Sequence, residues 1–301
     1  MNRKIVQHGS SSLTITLPIK WAEKFHIKKG DEINVEESGN SLVISTNKEQ
    51  SNVKKIIKKE DGKFTKNNLS HLYQLGYDEI EIEISDDKTL KEINERLPNC
   101  IGYEIIDQKN NKIYIKSIVT TLESEFDNML RKSFLVTDEM IKELINLLEK
   151  KEFKKINDVR NLENLNNKFT DICIRILNKK GYKIQSRTFQ IYEIIKNTER
   201  LADEFKYICD SLDKVNKDKF DKSIILDIKL IHGYFKLFQE LFNSDKPELK
   251  EKMILLRNEI KNKLSLKIQK SNSVNTLILY HLLCANEKIY ECFGSYSALK
   301  L

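Results

Sequence analysis

Two pairs of carboxylates stand one helical turn apart, Glu199 with Asp203 and Glu287 with Glu291. Residues i and i+4 share a helix face, so each pair presents hard oxygen donors side by side. Such donors make half of a site for a hard metal cation, and the same spacing beside Arg200 and Lys206 equally describes an ordinary solvated helix edge. On a helical wheel Ile191, Ile194, Thr198, Leu201, Ala202, Phe205, Ile208 and Leu212 form one apolar stripe. The first pair then lies roughly 100 to 160 degrees from that stripe, which predicts that it faces outward. Val274, Ile278, His281, Leu282, Ala285, Ile289 and Cys292 form the second stripe, with Glu287 and Glu291 on its far side. The pair therefore recurs in an equivalent setting. His281, on the apolar side, reads as a hydrogen-bonded core residue rather than a ligand.

Catalytic alternatives find little material. An inward-facing di-metal site needs Glu-x-x-His on its core helices, and no such spacing occurs between residues 120 and 301. The chain has no G-x-x-x-x-G-K-[ST], G-x-G-x-x-G or G-x-S-x-G, and nine glycines in 301 residues leave few loops able to cradle phosphate. A non-enzymatic role is expected. Five cysteines (Cys100, Cys173, Cys209, Cys284, Cys292), the closest two eight apart, match neither a disulfide framework nor a CxxC knuckle. Reduced, mostly buried thiols and a cytoplasmic location follow as expectations. The start, MNRKIVQHGSSSL, has a basic pair and no apolar core, and no run of apolar residues is long enough to span a membrane.

The net charge of +7 is unevenly placed. Residues 1–50 hold seven Lys and Arg against six Asp and Glu, residues 51–118 twelve against twelve, and residues 119–301 thirty-three against twenty-seven. Any grip on nucleic acid near the start must come from a local patch.

Three regions with different periods position these groups. In the first, Leu13, Ile15 and Leu17 alternate with polar residues up to Pro18, as in a half-buried strand. A short helix over 19–26, a Lys28-Lys29-Gly30-Asp31 turn and a hairpin turning at Ser38-Gly39-Asn40 follow. About 45 residues of this kind rarely support a core alone, so oligomerisation is the expected remedy. The stretch GSSSLTITLPIKWAEKFHIKKGDEINVEESGNSLVIS resembles the AbrB/MazE/SpoVT swapped-hairpin module. The resemblance implies an intertwined homodimer and, in many members, DNA binding through basic residues on the first strand, its loop and the short helix. Here these are Arg3, Lys4, Lys20, Lys24, Lys28 and Lys29.

Residues 52–118 mix periods. A basic strand (53–59), a helix around 69–75, the alternating strand Glu79 to Ile84, a helix over 89–97 and a hairpin turning at Gln108-Lys109-Asn110-Asn111 predict a small α+β domain. Alternation places Glu79, Glu81 and Glu83 on a wet face and Ile80, Ile82 and Ile84 inside.

From residue 120 the pattern is helical over approximately 120–150, 152–180, 186–214, 221–243, 247–269 and 273–293, broken at Lys180-Gly181, 213–221 and Ser244 to Pro247. Six helices with short links read as two antiparallel trios, over 120–214 and 219–296. NTERLADEFKYICDSL (197–212) and CANEKIYECFGSY (284–296) resemble the duplicated PhoU signature, and LENLNNKFTDICIRILNKKG (162–181) the helix before it. That resemblance implies paired three-helix bundles, a non-enzymatic part in phosphate homeostasis, and a divalent or ferric cation (iron, zinc or magnesium) on the outward acidic faces. The metal candidates are Glu199, Asp203, Glu287, Glu291 and, on the preceding helix, Asp171. Asn166 and Thr170 occupy the positions where that helix would carry its acidic pair.

The whole chain thus reads as a multidomain protein: an AbrB-like β-rich domain (1–47), an α+β linker domain (52–118) and PhoU-like helical bundles. Two roles are expected. One is a dimeric DNA-binding transcriptional regulator of phosphate uptake; the other is an interaction protein docking on a phosphate transporter ATPase or a sensor kinase without DNA.

Overall fold

The computed structural model describes residues 2–38, 40–46, 53–58, 64–84, 86–119, 123–213, 220–271 and 273–301. The chain divides into two compact units, residues 1–54 and 55–301.

In the first unit, β1 (Val6–His8) pairs antiparallel with β2 (Ser12–Thr14), Val6 opposite Thr14 and His8 opposite Ser12. Gly9, at φ 71°, supplies the left-handed residue the connection needs. The alternation through Leu17 predicted a longer strand. β1 is three residues long and offers pairing only to Ser12–Thr14. Pro18 then caps α1 (Ile19–Lys24), and β3 (Asn34–Ser38) pairs with β4 (Ser41–Ser45), Val35 opposite Ile44. Gly39, in the expected turn, lies outside the described residues. Among the described side chains of residues 2–46 none is buried, and Ile5, Val6, Leu13, Ile19, Val35 and Leu42 are each more than half exposed.

The second unit begins with a four-stranded sheet ordered β5-β6-β8-β7: β5 (Lys54–Ile57), β6 (Glu79–Glu83), β7 (Tyr103–Lys109) and β8 (Lys112–Ser117). Asn110 and Asn111, at φ 51° and 57°, turn the β7–β8 hairpin in the two-residue form asparagine favours. Two helices flank the strands, α2 (Lys66–Gln74) and α3 (Asp87–Arg96). The Thr89 backbone N–H donates to Asp86 at 2.7 Å, which satisfies one free donor at the start of α3. Leu69, Tyr73, Ile80, Ile82, Ile93, Ile113 and Ile115 close the core of this part, each burial contributing about 1.5–3 kcal/mol.

The expectation for Glu81 is corrected. It is buried, because β6 lies inside the sheet and Lys112 on β8 reaches it at 2.7 Å. Glu79 meets Lys116 at 2.9 Å, so the acidic row is a cross-strand ion-pair ladder.

Six long helices follow: α4 (Phe126–Lys150), α5 (Ile156–Lys180), α6 (Thr188–Asp213), α7 (Ile224–Ser244), α8 (Pro247–Ile268) and α9 (Ser273–Leu299). Helices α4, α5 and α6 pack on one another, as do α7, α8 and α9, and the two trios meet along α6 with α9 and α4 with α7. A histidine–carboxylate bond sits on each seam. His232 meets Asp138 at 2.7 Å across α7 and α4, and His281 meets Glu204 at 2.8 Å across α9 and α6.

The α+β part is no detached linker. Helix α2 packs on α5, and Arg175 of α5, 3% exposed, is wholly engaged there. Its guanidinium donates to the Tyr73 carbonyl at 3.0 Å, the Tyr77 carbonyl at 2.7 Å and Asp78 at 2.6 Å, between the rings of Tyr73 and Tyr103. A buried charge with all these partners is tolerated; one stripped of its carboxylate would cost several kcal/mol.

Candidate nucleic-acid interface and acidic faces

All six basic candidates of the first unit are exposed. Lys20 and Lys24 sit one turn apart on α1, and so share a face of a six-residue helix. Lys28 and Lys29 enter the following turn, which Asp31 fixes by accepting the Lys28 backbone N–H at 2.7 Å and which needs Gly30 at φ 95°. Trp21 and Phe25 meet ring to ring, tilted, at 5.6 Å on the neighbouring face of α1, with the Lys24 ammonium 5.3 Å from the Phe25 ring. Arg3 and Lys4 lead into β1. No ion pair engages any of the six among the described residues, which leaves their charge available to an anionic partner.

Every acidic candidate of the second unit, by contrast, has a cation. Glu199 pairs with Lys196, and Asp203 with Lys206. Lys206 also reaches Glu163 of α5 at 3.0 Å, so one ammonium stands between two carboxylates from neighbouring helices. Neither Glu199 nor Asp203 faces fully outward; their side chains are 23% and 26% exposed. Burial raises the Asp203 carboxyl above the ordinary range, although Lys206 opposes it. Glu287 meets Arg257 at 2.6 Å and Glu291 meets Lys288 at 2.9 Å, both partly exposed.

Asp171 departs furthest from expectation. It is 2% exposed and lies under the α+β part, where Arg96 donates to it at 2.8 Å and Gln74 at 2.6 Å. Burial raises its carboxyl, against the pull of Arg96. The register of α5 is corrected too. Asn166 and Thr170 face the core, Asn166 donating to Thr137 at 2.8 Å and to the Ser133 carbonyl at 3.1 Å, while Glu163 and Asp171 carry the acidic side. Among the described residues no three His, Cys, Asp or Glu side chains gather as a metal ion would require.

Ile278, Leu282, Ala285, Ile289 and Cys292 are buried as the stripe predicts; the side chain of Val274 lies outside the described residues. His281 is hydrogen-bonded as expected, near the rings of Tyr207 and Tyr280. Burial pushes the thiols of Cys100, Cys209 and Cys292 up to about 12 and that of Cys173 still higher, so they are unreactive. Sequence reasoning missed β1 and the anchoring roles of Arg96 and Arg175. The arginines sit among isoleucines in CIRIL and among charges in NERL, and only their partners reveal them. No helix among the described residues is long and apolar enough to cross a membrane.

Residues 6–52 match the family described as antidote-toxin recognition MazE, bacterial antitoxin. This agrees with the AbrB/MazE-like resemblance of the first unit and is compatible with DNA binding and dimerisation. The match gives no support to a PhoU assignment for residues 120–301, nor to phosphate homeostasis or transporter and kinase partners. No curated protein and no solved structure matches the chain.

Proposed function

We propose that the chain is a non-enzymatic, DNA-binding regulator that works as a homodimer through residues 2–46, with the helical unit as its partner- or effector-responsive body. One observation carries this reading: the first unit has no buried side chain of its own among those described, while Leu13, Val35 and Leu42 stand exposed beside six unpaired cations. A second copy supplies the missing core, since a module of about 45 residues rarely closes one alone. Doubling also doubles the cationic patch, which suits the two-fold repeat of an operator. Lys20, Lys24, Lys28 and Lys29 are the principal phosphate contacts, with Arg3 and Lys4 beside them.

The test is a salt-titrated binding assay on duplex DNA from the chain's own promoter region, comparing the full chain with one lacking residues 1–46. Affinity is expected to fall steeply with salt, by a logarithmic slope of about −0.9 per phosphate contact, and to vanish with the deletion. Equal binding by both proteins would refute it. The matched family's description favours a second reading, in which the first unit recognises a protein in the manner of an antitoxin. Salt-insensitive capture of a protein partner through residues 1–46, without DNA binding, would select that reading.

A further inference from the structure

At one end of the helical unit a cavity of about 630 Å³ opens between α4, α7, the end of α9 and the link from α5 to α6. That volume is in the range of small-molecule sites. Its floor is aromatic. Phe134 and Phe242 stand edge to face with centroids 5.3 Å apart, and Tyr296 lies 5.7 Å from Phe242. Tyr296 is fixed because its hydroxyl bonds to Asp245, and the Phe134 carbonyl is held by Gln239 at 3.2 Å, so the floor is preorganised.

The mouth carries the opposite chemistry. Arg131, Lys183 and Lys300 border it, against one acid, Asp127. Lys183 leans on Asp127 at 3.6 Å and Lys300 on Asp245 at 3.1 Å. Arg131 is exposed and has no ion pair among the described residues. A planar guanidinium free to engage two oxygens, set over an apolar floor, suits an anion with a two-oxygen charged end, such as a carboxylate, on a flat apolar body. A neutral ligand leaves Arg131 unanswered, and a small inorganic anion leaves the aromatic floor wet.

We propose that this cavity binds a small aromatic carboxylate, with its carboxylate on Arg131 and its ring system against Phe134 and Phe242. Calorimetric titration of the full chain with 1-naphthoate, and with the uncharged 1-naphthalenemethanol as control, tests it. The acid is expected to bind at least tenfold more tightly than the alcohol, equivalent to about 1.4 kcal/mol. Arg131→Ala is expected to abolish that preference while leaving alcohol binding within about threefold, and Arg131→Lys to restore part of it. Asn243→Trp, at an exposed position on the rim, is expected to block both ligands without lowering thermal stability. Absence of saturable binding, an acid preference that survives Arg131→Ala, or binding unaffected by Asn243→Trp would each overturn the proposal.

Discussion

The joint between the sheet and α5 and the two small hairpins of residues 2–46 handle the same problem in opposite ways. Both are rich in charge and contain short elements. In the joint, buried charges are matched: Arg175 to Asp78 and two carbonyls, and Arg96 to Asp171. In the hairpins, charge and apolar side chains alike are left outside. The lesson is that a segment can be fully specified in sequence and still be incomplete as a single chain. Its exposed Leu13 and Val35 are unused contacts, whereas the exposed Leu135 of the helical unit sits on a body whose core is already closed.

The largest effect should come from breaking the joint. Arg175→Ala takes from the buried Asp78 its guanidinium partner at 2.6 Å, with Lys179 still at 2.8 Å, and is expected to cost about 3–5 kcal/mol in urea denaturation. A loss below about 1 kcal/mol would mean that the joint behaves like a solvated surface pair. Next comes Leu13→Asp. If a second copy covers that face, the dimer should weaken at least 100-fold, about 2.7 kcal/mol, in sedimentation runs at varied concentration, with the unfolding of residues 55–301 unchanged. A monomeric first unit would show no such shift.

A smaller effect is expected from Lys20→Ala with Lys24→Ala, which removes two contacts from each protomer and should reduce the salt slope of DNA binding by the dimer by about 3.6 without moving the dimer constant. The smallest is a pH effect at Asp203. Its folded-state carboxyl is raised by burial, so the stability it contributes is present below the ordinary value of about 3.9 and is lost as pH rises through the folded value. Asp203→Asn should remove this component. The variant should therefore gain on the natural chain as pH rises above about 3.9, read from urea midpoints, and a gain in the reverse direction would show that the Lys206 pair outweighs burial.

Much of the scaffold is legible in sequence because a helix writes its own buried face at a period of 3.6 residues. The six long helices fall within a few residues of their expected ends, apart from the later start of α4 and the extra turns of α9 to Leu299. The Asn110-Asn111 turn is equally local. What sequence could not show is which element covers which. Periodicity correctly separates Glu81 from its isoleucine neighbours, but only the central place of β6 in the sheet, beside the strand carrying Lys112, buries Glu81 itself. The same holds for Asp171, whose burial depends on Arg96 and Gln74, 75 and 97 residues away in the chain. The basic residues of α1 are visible as a cluster, yet that no ion pair engages Lys20 or Lys24 among the described residues is a structural fact.

Helix α9 packs against α6, α7 and α8, and it follows all three in the chain. Its arrival therefore seals both halves of the helical body at once. Until then, a growing chain displays the greasy sides of three finished rods, including Ile194, Phe205, Phe238 and Ile260, to whatever surrounds the ribosome. Docking of α9 is the step that takes this surface out of water, and a chaperone that binds apolar surface is expected to hold the nascent chain until residues 273–299 have emerged.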